Sequence, residues 1–496
     1  MSYRIAYISP EIVPFAKTGG LADVAGALPL ALAEMGHKVK VFMPLYKQVD
    51  IGKFGILAHK TSLKVSVAGR NESFDLLNLS DQDSGCEFIF IRMDKYFDRD
   101  GLYVDPETTK DWADNDERFI AFSKAVLESL KVLEFKPDII HCNDWQSGLI
   151  PAYLKCSDSS NKSDYGTGFF AGTKTVLTIH NLAYQGLFPE TTFAKLGIDA
   201  SHWYPASGFE YYGKVSFLKA AIVHADIINT VSEKYAEEIQ SSNEYGYGLE
   251  GVLKDRAADL FGVINGIDYK IWDPATDELI KANYKPEKLD NKTKNKNELR
   301  RRSKLPMSRR DIPLIGMISR LADQKGFDLF EQVADQLFEM DIQMVILGNG
   351  DGKYHVMLSE LIEKYPKKLA VNLAFNNELA HLIEAGSDMF LMPSRYEPCG
   401  LNQLYSLKYG TVPIVRETGG LADTITNCNP AKGTGTGFVF KNYNAIEMLN
   451  TVRFAVEVYK NKKIWLQLIQ NGMAQDFSWG NSAKKYQELY DKAKAK

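Results

Sequence analysis

The six residues Thr18-Gly19-Gly20-Leu21-Ala22-Asp23 recur letter for letter as Thr418-Gly419-Gly420-Leu421-Ala422-Asp423. Each copy follows an apolar run and precedes a stretch with helical periodicity. A glycine pair at such a turn lets the backbone approach a ligand, and the helix start presents unpaired N–H groups to an anion. One copy could serve only the close packing of helix on strand. Two copies, one in each half of the chain, point to a diphosphate or sugar-hydroxyl site. Further on, Arg320 closes the run 313–319 and Lys325 opens the next helix. A guanidinium and a nearby ammonium suit a diphosphate; a surface salt bridge is the plain alternative. Glu397, between Tyr396 and Pro398, follows the run 388–392. Its carboxylate can hold sugar hydroxyls, offset positive charge at a reacting carbon, or merely cap the helix starting near Leu401. In the first half, His141-Cys142-Asn143-Asp144 and His180-Asn181 each close a strand, at the same sheet edge as Lys17 and the first glycine pair.

The elements that must hold these groups alternate along the whole chain. Strand candidates lie at 4–9, 39–43, 88–93, 138–142, 175–180 and 226–230, then at 313–319, 342–348, 369–374, 388–392 and 412–416. Amphipathic helices are expected at 115–133, 213–225, 325–338, 353–365 and 376–386. This alternation predicts parallel sheets covered on both faces, in two α/β domains. In such sheets ligands bind at the carboxyl ends of the strands, where the candidate residues fall. Between the halves lies 277–311, of which residues 285–310 hold eleven Lys or Arg. The segment is read as a solvated surface stretch beside a hinge, with polyanion binding as the alternative. The turn-rich stretch 157–168 reads as a mobile loop. A last helix near 481–493 carries Ala483, Tyr486, Leu489 and Tyr490 on one face, so it docks against something.

Composition narrows the function. Lys+Arg 59 against Asp+Glu 63 gives a net charge of −4, which argues against a general nucleic-acid binder. No window is apolar enough to cross a membrane. The five cysteines form no C-x-x-C pair, so neither a disulfide framework nor a zinc site is expected, and a reducing compartment fits. There is no G-x-S-x-G elbow, H-E-x-x-H or P-loop. Gly348-Asn349-Gly350-Asp351-Gly352 has G-x-G-x-G spacing and no strand-end acid about twenty residues on, so it is weak support for a dinucleotide site.

Lys17–Asp23, Ser319–Gly326, Glu397-Pro398-Cys399-Gly400-Leu401 and Thr418–Asp423 together resemble the bacterial glycogen synthase and plant starch synthase family, in register over nearly the whole chain. The resemblance implies an α/β GT-B fold, two Rossmann-like doubly wound domains facing a deep cleft. It places an acceptor-side domain at 1–262, a donor-side domain at 268–475 and a helix at 476–496 returning to the first domain. It implies retaining transfer of glucose from ADP-glucose to the nonreducing end of an α-1,4-glucan, glycogen or starch, in the cytoplasm (or plastid stroma, if a transit peptide has been removed). Glu397, His180, Lys325 and Arg320 match the family's catalytic positions. Lys17, Gly19, Gly20, Asp23, Asp144, Asn181, Tyr396, Cys399, Gly400, Leu401, Thr418, Gly419 and Gly420 match its substrate-binding ones. No cofactor, metal, nucleic acid or membrane is expected. UDP-glucose as donor stays open, and an NAD-dependent oxidoreductase is the remote alternative.

Overall fold

The computed structural model describes residues 2–81, 85–156, 165, 168–309 and 311–496. The loop expected at 157–168 therefore lies largely outside the described residues. The chain folds into two compact units. The first comprises residues 1–231, 236–266 and 479–496, and the second 232–235 and 267–478.

The first unit contains strands β1 (Arg4–Ile8), β2 (Lys38–Pro44), β3 (Leu57–Val67), β4 (Arg70–Asp81), β5 (Cys86–Arg92), β6 (Ile139–Asn143), β7 (Lys174–Ile179), β8 (Leu187–Pro189), β9 (Glu210–Tyr211), β10 (Lys214–Ser216), β11 (Ile227–Thr230) and β12 (Leu260–Gly262). Nine of them form one sheet in the order β12-β11-β7-β6-β1-β2-β5-β4-β3, and β8-β10-β9 form a small second one. Every residue of β6 is buried, as expected for a strand covered on both faces. The expectation of a purely parallel sheet needs correction: β3 and β4 add an antiparallel hairpin at one edge. Most of β3 is exposed, so it lacks the apolar run that betrays a buried strand. Two register shifts and the outward Lys60 and Lys64 blunt it as an edge.

The second unit carries β13 (Leu314–Ile318), β14 (Gln343–Leu347), β15 (Leu369–Asn372), β16 (Met389–Met392), β17 (Val412–Arg416) and β18 (Phe438–Phe440). Their order is β15-β14-β13-β16-β17-β18, all pairs parallel. Counted along the chain this is the doubly wound order 3-2-1-4-5-6, whose direction reverses between β13 and β16. The parallel strands of the first sheet reverse in the same way between β1 and β6.

Two further expectations meet a definite structure. The last helix, Trp479–Ala495, buries Ala483, Tyr486, Leu489 and Tyr490 within the first unit. There Tyr490 Oη bonds His141 Nδ1 at 2.8 Å and Tyr486 Oη accepts from Asn229 Nδ2 at 3.2 Å. The basic stretch, in contrast, is not simply a solvated surface. Within the helix Asp290–Arg302, Lys292, Lys296 and Arg300 are buried on one face. Lys292 Nζ donates to the Ala385 and Tyr409 carbonyls (3.1 and 3.0 Å), at the C-terminal ends of two helices where carbonyls lack intrahelical partners. Lys296 pairs with Asp388 at 2.5 Å, and Arg300 donates to the Ile312 carbonyl. Spacing of four residues on a helix made these cations a structural seam.

Candidate active site

In the second unit the site grows from the two loops at the reversal point. The turn after β13 carries Arg320 and leads through a 3-10 turn, Asp323–Lys325, into the helix Phe327–Glu339. Gly326 takes a left-handed φ of +76°, and a Cβ there would meet the Pro393 carbonyl at 2.1 Å. The loop after β16 is bound to this turn by backbone polar groups: Arg395 N–H donates to Gln324 O (2.8 Å), and Gln324 Nε2 to Tyr396 O (3.1 Å). Held in this way, Lys325 Nζ lies 2.6 Å from Glu397 Oε2. Ser394 Oγ donates to the same oxygen at 2.9 Å.

This geometry sorts the earlier alternatives. The Lys325–Glu397 pair is no surface salt bridge, since the side chains are only 18% and 7% exposed. Nor does Glu397 cap the helix Asn402–Lys408, whose N-cap is Leu401 with no side-chain cap bond. Both bonds fall on Oε2, so Oε1 is the oxygen left to a ligand. Arg320 is exposed and has no ion-pair or hydrogen-bond partner among the described residues. Among the sequence candidates, Gly400 has a φ of +72°, and Cys399 O accepts from Gln403 Nε2. Tyr396 is half-buried and Leu401 supports the helix start. Ser394 was missed by sequence reasoning, although its place three residues before Glu397 in a tight turn was a usable signal.

The second glycine copy is packed onto this loop. Gly419 has φ +43°, and a Cβ on it would lie 2.0 Å from Glu397 O; one on Gly420 would lie 2.0 Å from Cys399 O. Gly420 N–H donates to Glu397 O, and Thr418 N–H to Arg416 O. These glycines let one backbone lie against the backbone that carries Glu397. The glycines at 348–352 have the same kind of explanation, because Gly348 and Gly350 would meet the Ser319 and Leu321 carbonyls within 2.3 Å.

In the first unit the reversal point presents Asp144 and the first glycine copy, and β7 adds His180. Asp144 holds φ at +51°, a left-handed conformation costing a non-glycine residue about 1–3 kcal/mol, of the kind that clusters at functional sites. Its Oδ1 accepts from His180 N–H at 2.7 Å. Burial pushes the Asp144 carboxyl up to about 7, against the opposing His180 and Asn181 amides. Burial also lowers His180 to about 3, leaving a neutral ring. Asn143 Nδ2 donates to Ile8 O, so its Oδ1 faces Tyr7 Oη (3.1 Å) and His180 Nε2 (2.9 Å). That arrangement places the His180 proton on Nε2 and leaves Nδ1 as an acceptor. Asn181 Oδ1 accepts from Ala183 N–H, bending the chain after β7. His141, in contrast, is fully buried with both ring nitrogens bonded to hydroxyls, a structural histidine.

Lys17 is 49% exposed and pairs with Asp23 at 2.7 Å. Desolvation raises the Asp23 carboxyl, partly offset by Lys17. A Cβ on Gly19 would meet nothing within 4 Å, unlike those of the second copy. Among the described residues no three His, Cys, Asp or Glu side chains are grouped to hold a metal ion.

Residues 4–255 match the family model of the starch synthase catalytic domain, and residues 296–472 that of glycosyl transferases group 1. With two Rossmann-like sheets reversing at loops that carry the candidate groups, the chain is a glycosyltransferase of the GT-B fold. It belongs to the glycogen and starch synthase family. It is 48% identical to a glycogen synthase from Koribacter versatilis, over 99% of this chain and 98% of that one. It is 46% identical to one from Thermosipho melanesiensis, over 99% of each. Among solved structures it resembles the catalytic domain of starch synthase IV from Arabidopsis thaliana, bound to ADP and acarbose, with TM-score 0.88 and 30% identity over 100% of both chains. A sucrose-phosphate synthase from Thermosynechococcus elongatus, at TM-score 0.57 and 17% identity over 99% of each chain, shares the fold.

Proposed function

We propose that this enzyme transfers glucose from ADP-glucose to the nonreducing end of an α-1,4-glucan, with retention of configuration. The observation that carries this reading is the Glu397 carboxylate, anchored through one oxygen by Lys325 and Ser394 with the other left open, while Arg320, on the turn that also carries Lys325, has no partner among the described residues. Arg320 and Lys325 are assigned to the diphosphate, whose leaving-group charge they would stabilise through preorganised electrostatics. As the C1–O(phosphate) bond breaks, an oxocarbenium-like centre forms, and Glu397 Oε1 offsets its positive charge. The acceptor hydroxyl then bonds C1 from the face the phosphate leaves, and its proton passes to a phosphate oxygen. No side chain is assigned as a covalent nucleophile.

In the first unit, Lys17 is assigned to the donor, and neutral His180 with Asp144 to the hydroxyls of the transferred sugar. Gly19, Gly20, Asp23 and Asn181 shape this acceptor-side unit; Tyr396, Cys399, Gly400, Leu401, Thr418, Gly419 and Gly420 shape the donor-side loops. ADP in the Arabidopsis starch synthase and the glycogen synthase relatives support the choice of donor and acceptor. No helix among the described residues is long and apolar enough to cross a membrane. A cytoplasmic setting completes the proposal, or the plastid stroma if a transit peptide has been removed. Assaying ADP-glucose and UDP-glucose side by side with glycogen tests it: ADP-glucose should give the higher kcat/KM, and equal or reversed preference would overturn the donor assignment.

A further inference from the structure

The first glycine loop already holds an anion, and that anion is part of the protein. Glu11, in the loop that follows β1, is 4% exposed. Its Oε2 accepts from the backbone N–H groups of Thr18 (2.5 Å) and Gly19 (3.2 Å). Its Oε1 accepts from Thr18 Oγ (2.6 Å) and Tyr103 Oη (3.0 Å). Four donors thus converge on one buried carboxylate, and successive backbone N–H groups form the kind of concavity that takes phosphate elsewhere. In the second copy Thr418 N–H donates to Arg416 O, and Gly420 N–H to the Glu397 and Pro398 carbonyls. The repeated letters therefore do different work in the two units. Past the occupied amides, the helix Gly20–Glu34 starts without a side-chain cap, and the space at Gly19 is open.

We propose that Glu11 is a positioning residue for glucosyl transfer: it fills the amide nest of the first glycine loop, and so fixes Lys17 and the start of the following helix for the donor while denying the Thr18 and Gly19 amides to free phosphate. The positioning half rests on the assignment of Lys17 to the donor; the nest half does not. Since Thr18 is the residue next to Lys17, releasing its amide and hydroxyl from Glu11 frees the backbone that aims the ammonium. An amide at position 11 keeps the shape, loses the charge, and turns an N–H group toward donors.

The test has two arms. In the kinetic arm, Glu11→Gln, Lys17→Gln and the double variant are compared at saturating glycogen. Glu11→Gln should lower kcat/KM for ADP-glucose by about 10-fold or more, with a rise in donor KM, and the double variant should be no worse than the weaker single one. Tyr103→Phe, which removes one donor to Oε1 and leaves the charge in place, should show a smaller change in the same direction. A purely structural Glu11 would lower apparent kcat with KM unchanged, and independent action would make the losses multiply; either result overturns the positioning role. In the second arm, melting is followed with inorganic phosphate for the parent and Glu11→Ala. Phosphate should stabilise Glu11→Ala more than the parent, because the vacated nest can accept it. Equal shifts would overturn the nest. A parent that transferred glucose from no nucleotide donor would strike the proposed function, and the phosphate arm would still decide this inference.

Discussion

Lys325 and Glu397 form an ion pair largely withdrawn from water, and the chemistry assigned to each depends on it. Lys325→Gln removes a cation that is worth most as the diphosphate departs, so kcat/KM should fall by about 10²-fold or more. It also strands the Glu397 carboxylate, so melting must be measured alongside. Near-normal turnover would remove Lys325 from the diphosphate role, and a loss fully explained by unfolded protein would make the pair structural. Titration at single residues yields a second expectation. Burial pushes the Glu384 carboxyl up to about 8, against Ser406 and Lys292. A raised carboxyl favours the fold while protonated: its contribution is full below its unfolded value of about 4.3 and is lost as pH rises through about 8. Glu384→Gln lacks this dependence, so its stability relative to the parent should improve from pH 5 to pH 8, by a few kcal/mol at most. Lys292, lowered to about 7 by burial, acts in the opposite sense above that pH, so the difference between variant and parent is the readout. Denaturant unfolding at several pH values measures it; a flat difference would mean that Glu384 is charged in the fold.

At the scale of elements, the twin loops supply the sharpest contrast. Gly420→Ala forces a methyl to within 2.0 Å of the Cys399 carbonyl, whereas Gly19→Ala enters open space. The first should destabilise the protein by about 1–3 kcal/mol, the usual cost of overpacking, and lower activity with it. The second should leave melting within a degree or two and raise the donor KM instead. Similar melting losses in both would refute the division of labour. The sequence made the repeat and its place at strand ends legible, because glycine pairs after apolar runs have few uses. It could not say which copy packs and which stays open, since that depends on neighbours far along the chain, Glu397 for one and Glu11 for the other. The parallel strands were legible from their apolar runs; the β3–β4 hairpin, half in water, was not. Lys292, Lys296 and Arg300 misled for a related reason: composition marks a basic stretch as solvated, and only the four-residue spacing hints at a buried face.

At the scale of the whole molecule, the strand order within each sheet places the reacting groups. Both sheets reverse direction, one beside Asp144 and the first glycine loop, the other beside Arg320 and Glu397, so conserving the fold conserves where loops can bind ligand. Charge on the departing diphosphate is assigned to side chains of the second unit, so activity should survive EDTA; loss on chelation, restored by Mg²⁺ or Mn²⁺, would contradict that assignment. The central claim concerns the product: a glucosyl group joined in α-1,4 linkage at a nonreducing end. The most direct measurement supplies ADP-glucose labelled in the sugar with unlabelled glycogen, isolates the polymer, and digests it with an exo-acting hydrolase that releases maltose only from α-1,4-linked nonreducing ends. The label should appear in maltose, at a rate that depends on both donor and acceptor. Label recovered as free glucose, or held in polymer that resists the digestion, would contradict it.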